Sequence, residues 1–503
     1  MKTPMPMLKH SLVMAISLVI GAAAPGSAAE SGARHDDFYT IGEMNKASIV
    51  MLQEKGIVPK PLAAKIAKGI AEVIAEGDQP GAKRPNDYLI VEARLTALAG
   101  PDASRVHSGR SRQDMLSTTE RMKLREGLLN IFESLNSSRD KLQTLASKHI
   151  ETIIPAYTHG VQAQPTTLAH YLLALAASLE RDGERLRQAY TRINLSPLGA
   201  AALGTSSFAI DRARLAALLG FDGIVENSYD ANHVSPAETN TEFASALAIS
   251  ALAIGHFVQD IQTQYHNPLP WFTLQEGRLT GISSIMPQKR NPMALERVRT
   301  LCSMVIGDAQ TTFFMAHNST TGMFDYRFAA QTLQAAEKAS SMYKLFGDLL
   351  DNLVINRDRA LAEVEADYST MTEVADILQR EANVPFRIGH HFASELTNYG
   401  RARGKRPTEI PYEEAVRIYK EVAGEKLPLT ESRFRESMSP QYMVFGSRGR
   451  GGPQSEEVTR MLADHRQRLG ADGEWVKERR TRLEDAWATL QREFTQLAST
   501  ASN

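Results

Sequence analysis

Cysteine is almost missing from this chain: Cys302 is the only one in 503 residues. That excludes an intrachain disulfide, a cysteine zinc site and an iron–sulfur cluster, and Cys302 itself is expected as a small buried apolar residue on a helix. Net charge is missing too. With 57 basic residues against 58 acidic ones, no global field attracts nucleic acid or an anionic membrane surface, so a charged partner must be met locally. Strand-like alternation is scarce, and there is no internal repeat or low-complexity tract. The glycines of the run Gly446 to Pro453 form no GxGxxG between a strand and a helix, which leaves a dinucleotide site without support.

What remains is an ordinary globular composition, 43% hydrophobic, read as two to four domains from length. The first residues stand apart. Lys2 and Lys9 precede the apolar run from Ser11 to Ala24, and Pro25-Gly26-Ser27-Ala28-Ala29 follows it. Such a run is short of the roughly 20 residues needed to span a bilayer. With its small-residue tail it reads as a secretory signal rather than an anchor, cleaved after Ala29, with export to the periplasm and no membrane attachment afterwards. No other apolar run reads as long enough to span.

Helical periodicity dominates the rest. Over 59–76, Leu62, Ile66, Ile70 and Ile74 recur at fourfold spacing and make one apolar stripe. Longer helical stretches are expected at about 114–150, 165–193, 236–265, 291–316 and 328–353, which implies a bundle. The stretch 243–258, FASALAISALAIGHFV, is apolar on nearly every face, as suits a helix packed on all sides, other subunits included. Turn-forming residues break the rods at Ser196-Pro197-Leu198-Gly199, Asn267-Pro268-Leu269-Pro270 and Asn318-Ser319-Thr320-Thr321-Gly322. A change after Val384-Pro385-Phe386 to shorter helices suggests a small C-terminal domain. The expected division is a signal at 1–29, an N-terminal helical domain at 30–113, a central bundle at 114–365 and a small helical domain at 366–503.

Three separated polar clusters suit one task. Residues 106–114, VHSGRSRQD, open a long helix; Tyr157-Thr158-His159-Gly160 is followed by Gln162-Ala163-Gln164-Pro165; and 280–292, TGISSIMPQKRNP, surrounds a proline with hydroxyls, a lysine and an amide. Lys289 offers a cation, Asn291 an amide donor and Ser283 a hydroxyl, while Gly281 permits sharp turns, so this loop is suited to hold a carboxylate. Together the clusters supply an anion pocket and a titratable imidazole. Alone, each is ordinary: a paired Arg110 and Arg112 at a helix start is most often solvated, and a single histidine is usually structural. His107, His170, His390 and His391 carry no separate argument, and none pairs with a carboxylate at metal-binding spacing. Neither a metal nor an organic cofactor is expected.

The order HSGRSRQD, then YTH with AQP, then SSIMPQKRNP with Glu296 beyond it, resembles argininosuccinate lyase of the fumarase/aspartase superfamily. Glu92-Ala93-Arg94-Leu95-Thr96, Asp211-Arg212, Asn227-Ser228-Tyr229-Asp230-Ala231, Val384-Pro385-Phe386-Arg387 and Gly451-Gly452-Pro453 extend the resemblance over almost all of the chain beyond residue 35. It implies an all-α, three-domain fold with a central long-helix bundle, and a homotetramer whose active sites are shared between subunits. The implied activity is carbon–nitrogen β-elimination from a small-molecule N-substituted aspartate, releasing fumarate. By resemblance Ser283, His159, Lys289 and Glu296 are the catalytic set. Ser283 is then assigned to proton abstraction, Lys289 and Asn291 to the carboxylate whose aci form must be stabilised, and Glu296 to orienting His159. Whether Ser283 or His159 is the general base stays open. Thr158, Arg112 and Ser284 are the expected succinyl contacts, with Gln113 and Gln164 as further substrate-binding residues.

Departures from the family pattern cluster on one side. Ile282, Gln113 and Gly160-Val161-Gln162 replace the usual residues without removing the elimination groups. Phe324-Asp325-Tyr326-Arg327 stands where the family has a Tyr-x-Lys-Asp-Leu-Gln pattern, and the Arg-Asp pair beyond Ala231 is missing. Asp325 and Tyr326 therefore become candidate contacts for a different leaving amine. Argininosuccinate is the default substrate. An exported scavenging lyase in the manner of ethylenediamine-disuccinate lyase is the alternative, and a noncatalytic helical scaffold is the reading from another class.

Overall fold

The computed structural model describes residues 36–317, 319–322 and 327–500; the segment read as a signal lies outside them. Three helices come first: α1 (Asp37–Glu54), α2 (Lys60–Gly77) and α3 (Tyr88–Ala99). The chain then enters α4 (Arg112–Ser147), the strands β1 (Ile153–Thr158) and β2 (Val161–Thr167), and α5 (Leu168–Ile193). A parallel pair, β3 (Leu195–Ser196) and β4 (Gly223–Ile224), encloses α6 (Arg212–Leu218), and α7 (Ser228–His233) leads into α8 (Ser235–Gln264). Next are β5 (Phe272–Leu274), β6 (Gly281–Ile282), β7 (Arg290–Asn291), α9 (Met293–Ala316), α10 (Arg327–Asp351) and β8 (Leu353–Ile355). Six further helices follow: α11 (Arg357–Ala366), α12 (Met371–Ala382), α13 (Phe386–Ala402), α14 (Tyr412–Ala423), α15 (Glu431–Ser437) and α16 (Pro440–Phe445). The last helix, α17, runs from Ser455 to Ser499.

Polar side chains at the ends decide where many of these helices start. Asp36 accepts from Tyr39 N at 2.8 Å before α1, Asp87 from Leu89 N at 2.8 Å before α3, and Thr167 Oγ1 from His170 N at 3.2 Å before α5, each pairing a backbone donor that the helix itself cannot satisfy. Along α2 the expected stripe is present: Ile66 and Ile70 are buried, with Leu62 and Ile74 packed at its edges.

α4, α5, α8, α9 and α10 share one apolar core. Leu128, Phe132, Leu172, Leu179, Leu247, Ile254, Val298, Met342 and Phe346 are all inaccessible or nearly so within it. A second core joins α1–α3 to α6, and a third lies among α12–α16 around Phe392 and Phe434. The fold is all-α with three domains, the short strands being confined to connections.

Two expectations need correction. α17 does not belong with the C-terminal core, although 366–503 was expected to form one unit. Val458, Leu462 and Val476 pack into the central core, and Leu490, Phe494 and Leu497 into the N-terminal one. Buried charge fixes this return: Arg139 on α4 donates to Asp472 Oδ2 at 2.5 Å, and His465 Nδ1 lies 2.8 Å from Glu180 Oε2 on α5. The second correction concerns α8, whose length and apolar composition would suffice to cross a bilayer. Its Phe243, Leu247, Ile254 and Val258 are instead packed in protein, while Ile249 and Leu252 face outward at 39% and 49% exposure.

Arg139 is wholly buried, so Arg139→Ala removes a cation from beside Asp472 and should cost about 3 to 5 kcal/mol. The shift of the urea midpoint measures it, and a loss below about 1 kcal/mol would show the network to be dispensable.

Candidate active site

The first cluster is built around a helix start. A 3₁₀ turn, Pro101–His107, runs into Gly109 with φ +73°. Ser111 caps α4 in a capping box with Asp114, whose Oδ1 accepts from Ser111 N at 2.8 Å. Arg112 and Gln113 are thereby placed in the first turn. Arg112 is exposed, with its guanidinium 3.9 Å from Asp87 Oδ2. Arg110 points the other way: its Nη1 donates to Ser48 Oγ at 2.9 Å and its Nη2 to Asn45 Oδ1 at 3.0 Å, in the interior. The two arginines opening the helix therefore part ways, and Arg110 anchors α1. His107 is also structural, stacked on Tyr88 with ring centroids 4.7 Å apart, and burial beside Arg110 lowers its pKa to about 4.

The second cluster is a β-hairpin, and the helix expected from 165 begins at Leu168 because β2 runs on to Thr167. β1 and β2 pair antiparallel, with Thr158 opposite Val161. The two residues between them, His159 and Gly160, have φ of +55° and +77°, the signs that a two-residue type I′ turn demands. Gly160 therefore meets a backbone requirement, and His159 is held in a left-handed conformation at the exposed tip. Thr158 and Gln164 are exposed beside it. Tyr157 bonds to Glu363, and Gln162 Nε2 donates to Val364 O at 3.3 Å, which ties the hairpin to α11.

The third cluster is a second hairpin. Gly281 pairs with Asn291 and Ile282 with Arg290, so Ser283 to Lys289 form its tip. Ser283 Oγ accepts from Met286 N at 3.1 Å and from Ile285 N at 3.4 Å. Lys289 N closes a turn on Met286 O at 3.1 Å. Ser284 and Lys289 are exposed, while Ser283 and Asn291 are half-buried. Gly281 makes no left-handed turn, and a Cβ there would meet Met293 Sδ at 2.4 Å and displace that side chain. Ile282 and Ile285 stand out at 81% and 83% exposure. Two residues on, α9 begins at Met293 and not at 291, and Glu296 sits exposed in its first turn. It lines a groove of about 470 Å³ against α8 together with His256, Gln259 and Arg299.

Among the described residues Thr158, His159, Ser283 and Lys289 make no hydrogen bond or ion pair to one another. Asp325 and Tyr326 lie outside the described residues. No group of three or more His, Cys, Asp or Glu side chains among the described residues is placed to hold a metal ion. Sequence reasoning overlooked Asp114, whose Oδ2 accepts from Gly199 N at 2.9 Å and Ala201 N at 3.0 Å. Burial pushes its carboxyl up to about 7, against the pull of these N–H donors and Arg110. The Ser111-x-x-Asp114 spacing was the available signal.

A lyase family profile matches residues 40–307, and a profile for the argininosuccinate lyase C-terminal region matches 368–444. Argininosuccinate lyase 1 of Shouchella clausii is 30% identical over 472 residues, covering 91% of this chain and 92% of the relative. Argininosuccinate lyase of Methanocaldococcus jannaschii is 34% identical over 430 residues, covering 84% and 87%. The chain belongs to the argininosuccinate lyase-like branch of the fumarase/aspartase superfamily. Among solved structures, EDDS lyase in complex with formate superposes with a TM-score of 0.83 at 28% identity over 93% of both chains. Class II fumarase from Schistosoma mansoni, at 17% identity and a TM-score of 0.67 over 82% of this chain and 91% of its own, shares the fold.

A lyase of this family is a carbon–nitrogen lyase, and the second hairpin has parts that fit such chemistry. A hydroxyl that accepts two backbone N–H bonds has its oxygen's negative charge favoured over that of a free serine. Lys289 follows in the same tip, where an ammonium can meet an anion.

The two glycine turns separate backbone strain from steric clash. Gly160 has open space around its missing side chain, whereas a Cβ on Gly109 would meet Ile210 Cγ1 at 2.2 Å. Gly160→Ala should cost about 1 kcal/mol through φ alone. Gly109→Ala should cost at least about 2 kcal/mol. Paired denaturation curves test this order, and equal losses would refute it.

Proposed function

We propose that the protein eliminates fumarate from an N-substituted aspartate. The observation that carries this reading is the Ser283 hydroxyl, held by the Ile285 and Met286 amides in the same tip as Lys289. In the proposed reaction a base removes a Cβ proton, and the electron pair moves into the neighbouring carboxylate to give an aci-carboxylate dianion. It then returns to form the C=C bond as the C–N bond breaks, and the amine leaves with a proton. Ser283 takes the Cβ proton, while Lys289 and Asn291 neutralise the carboxylate that gains charge. Arg112, Thr158 and Ser284 hold the rest of the succinyl half, Gln113 and Gln164 add substrate contacts, and Glu296 orients His159 near the reacting centre.

Argininosuccinate is the first substrate, on the strength of relatives bearing that name. A different N-substituted aspartate is the second, favoured by the likeness to EDDS lyase. Beyond Ala231 the family's Arg-Asp pair is missing, and Asn232 and His233 donate to the carbonyls of Ala201 and Ala202 and so are committed to the fold. Fumarate release at 240 nm, with argininosuccinate, ethylenediamine-disuccinate and other N-substituted aspartates compared by kcat/KM, decides between them. Ser283→Ala should lower kcat by about 10² or more with little change in KM. Wild-type turnover in that variant would remove serine from the mechanism, and inactivity across the panel would favour the scaffold.

The site is proposed to be shared within a homotetramer. Support comes from the apolar strip left uncovered on α8 and α9, where Leu252, Met304, Phe313 and Phe314 are 49%, 44%, 49% and 75% exposed. Mixing inactive Ser283→Ala and His159→Asn proteins should restore part of the activity through sites that draw on both. Verified subunit exchange without recovery would count against sharing.

Export is proposed from the first 29 residues. The periplasmic protein should have the mass of a chain starting at Glu30. A full-length mass in the soluble fraction would contradict cleavage.

A further inference from the structure

Asp114 joins the start of α4 to a loop far along the chain. The carboxylate is fully buried. One oxygen is used on Ser111 N, as a capping box requires, while the other accepts from Gly199 N and Ala201 N, 85 and 87 residues away. The loop it grips is strained: Ala201 and Thr205 have φ of +53° and +60°, a conformation that costs non-glycine residues energy and persists only when the surroundings impose it. Those surroundings are explicit. Asn232 Nδ2 donates to Ala201 O at 2.7 Å, His233 Nε2 lies 2.8 Å from Ala202 O, and Ser228 Oγ donates to Leu203 O at 2.8 Å. The loop's amides are thus held by Asp114 and its carbonyls by α7. Beyond Ala201 the loop is exposed through Ala209. It packs so closely on the first cluster that a Cβ on Gly109 would lie 3.3 Å from Ser206 Oγ.

A local N-cap needs none of this, because Ser111 and one carboxylate oxygen already satisfy the helix start. The second oxygen locks α4's first turn, which presents Arg112 and Gln113, to a loop fixed from its other side. We propose that Asp114 is a positioning residue of the active site, clamping the first turn of α4 and the strained 199–205 loop into one rigid wall so that Arg112 meets the succinyl carboxylate at a fixed angle. The proposal rests on the assignment of Arg112 to that carboxylate.

Titration of the full protein with fumarate by calorimetry tests it without needing the natural amine. Arg112→Ala should weaken fumarate binding by about tenfold or more, as loss of a charge-assisted contact does. Asp114→Asn should weaken it by several-fold to about tenfold. If Asp114 acts through Arg112, the double variant should bind within about twofold of Arg112→Ala alone, whereas a general loosening of the fold would give multiplied losses. Should Asp114→Asn fail to fold, Asn232→Ala releases the loop from its other side and must show the same non-additivity. Multiplied losses, or wild-type affinity in Asp114→Asn, overturn the clamp and leave the elimination reading intact. Unchanged affinity in Arg112→Ala overturns both the clamp and the role of Arg112, and Ser283→Ala kinetics then judge the elimination separately.

Discussion

The structure depends on one continuous apolar core shared by five long helices. Phe132 on α4, Leu179 on α5, Ile254 on α8, Val298 on α9 and Phe346 on α10 are buried in it together. Close packing of this kind resists bending, so the helix ends become fixed points in space. The residues proposed for the chemistry are attached there. Arg112 and Gln113 sit in the first turn of α4, the His159 hairpin lies between α4 and α5, and the Ser283 hairpin leads directly into α9. None of Thr158, His159, Ser284 or Lys289 is buried. The residues proposed for the chemistry are therefore largely distinct from those that stiffen the fold, with Asp114 proposed to join the two sets.

A second constraint arises at the surface. The central core covers only part of α8 and α9, and Leu252, Met304 and Phe314 remain in contact with solvent. Thr158, His159, Ser284 and Lys289, with proposed roles in elimination, are likewise exposed. Both features have a common physical cause in the proposed assembly: packing of one copy's helices on another's would remove the apolar strip from water and bring clusters from different chains into one space.

Helices were legible because their signal is long and repeated. The stripe through Ile66 and Ile70 on α2 and the apolar run of α8 were plain from spacing alone. Short strands were not: Ile153-Ile154-Pro155 offers too few residues to show alternation, and the turn at His159-Gly160 has meaning only once its two positive φ angles are known. The last helix was misplaced for a related reason. Its buried residues Val458, Leu462, Val476, Leu490 and Phe494 are sparse among charges, so nothing in local sequence reveals which core they join. Arg110 and Arg112 illustrate the limit at the site itself. They are two residues apart, yet one enters the interior while the other stays in solvent, because the helix cap at Ser111 falls between them. Motif resemblance located the clusters; it could not divide structural from functional members within each.

The central claim is a reversible elimination in which one proton at the carbon beside the carboxylate is exchanged for a C–N bond's electron pair. Run backwards in D2O with fumarate and either arginine or ethylenediamine, the reaction can be followed by proton NMR. The account predicts an N-substituted aspartate carrying a single deuterium at its methylene carbon. Fumarate left unchanged with both amines, or an adduct with no deuterium at that carbon, would contradict it.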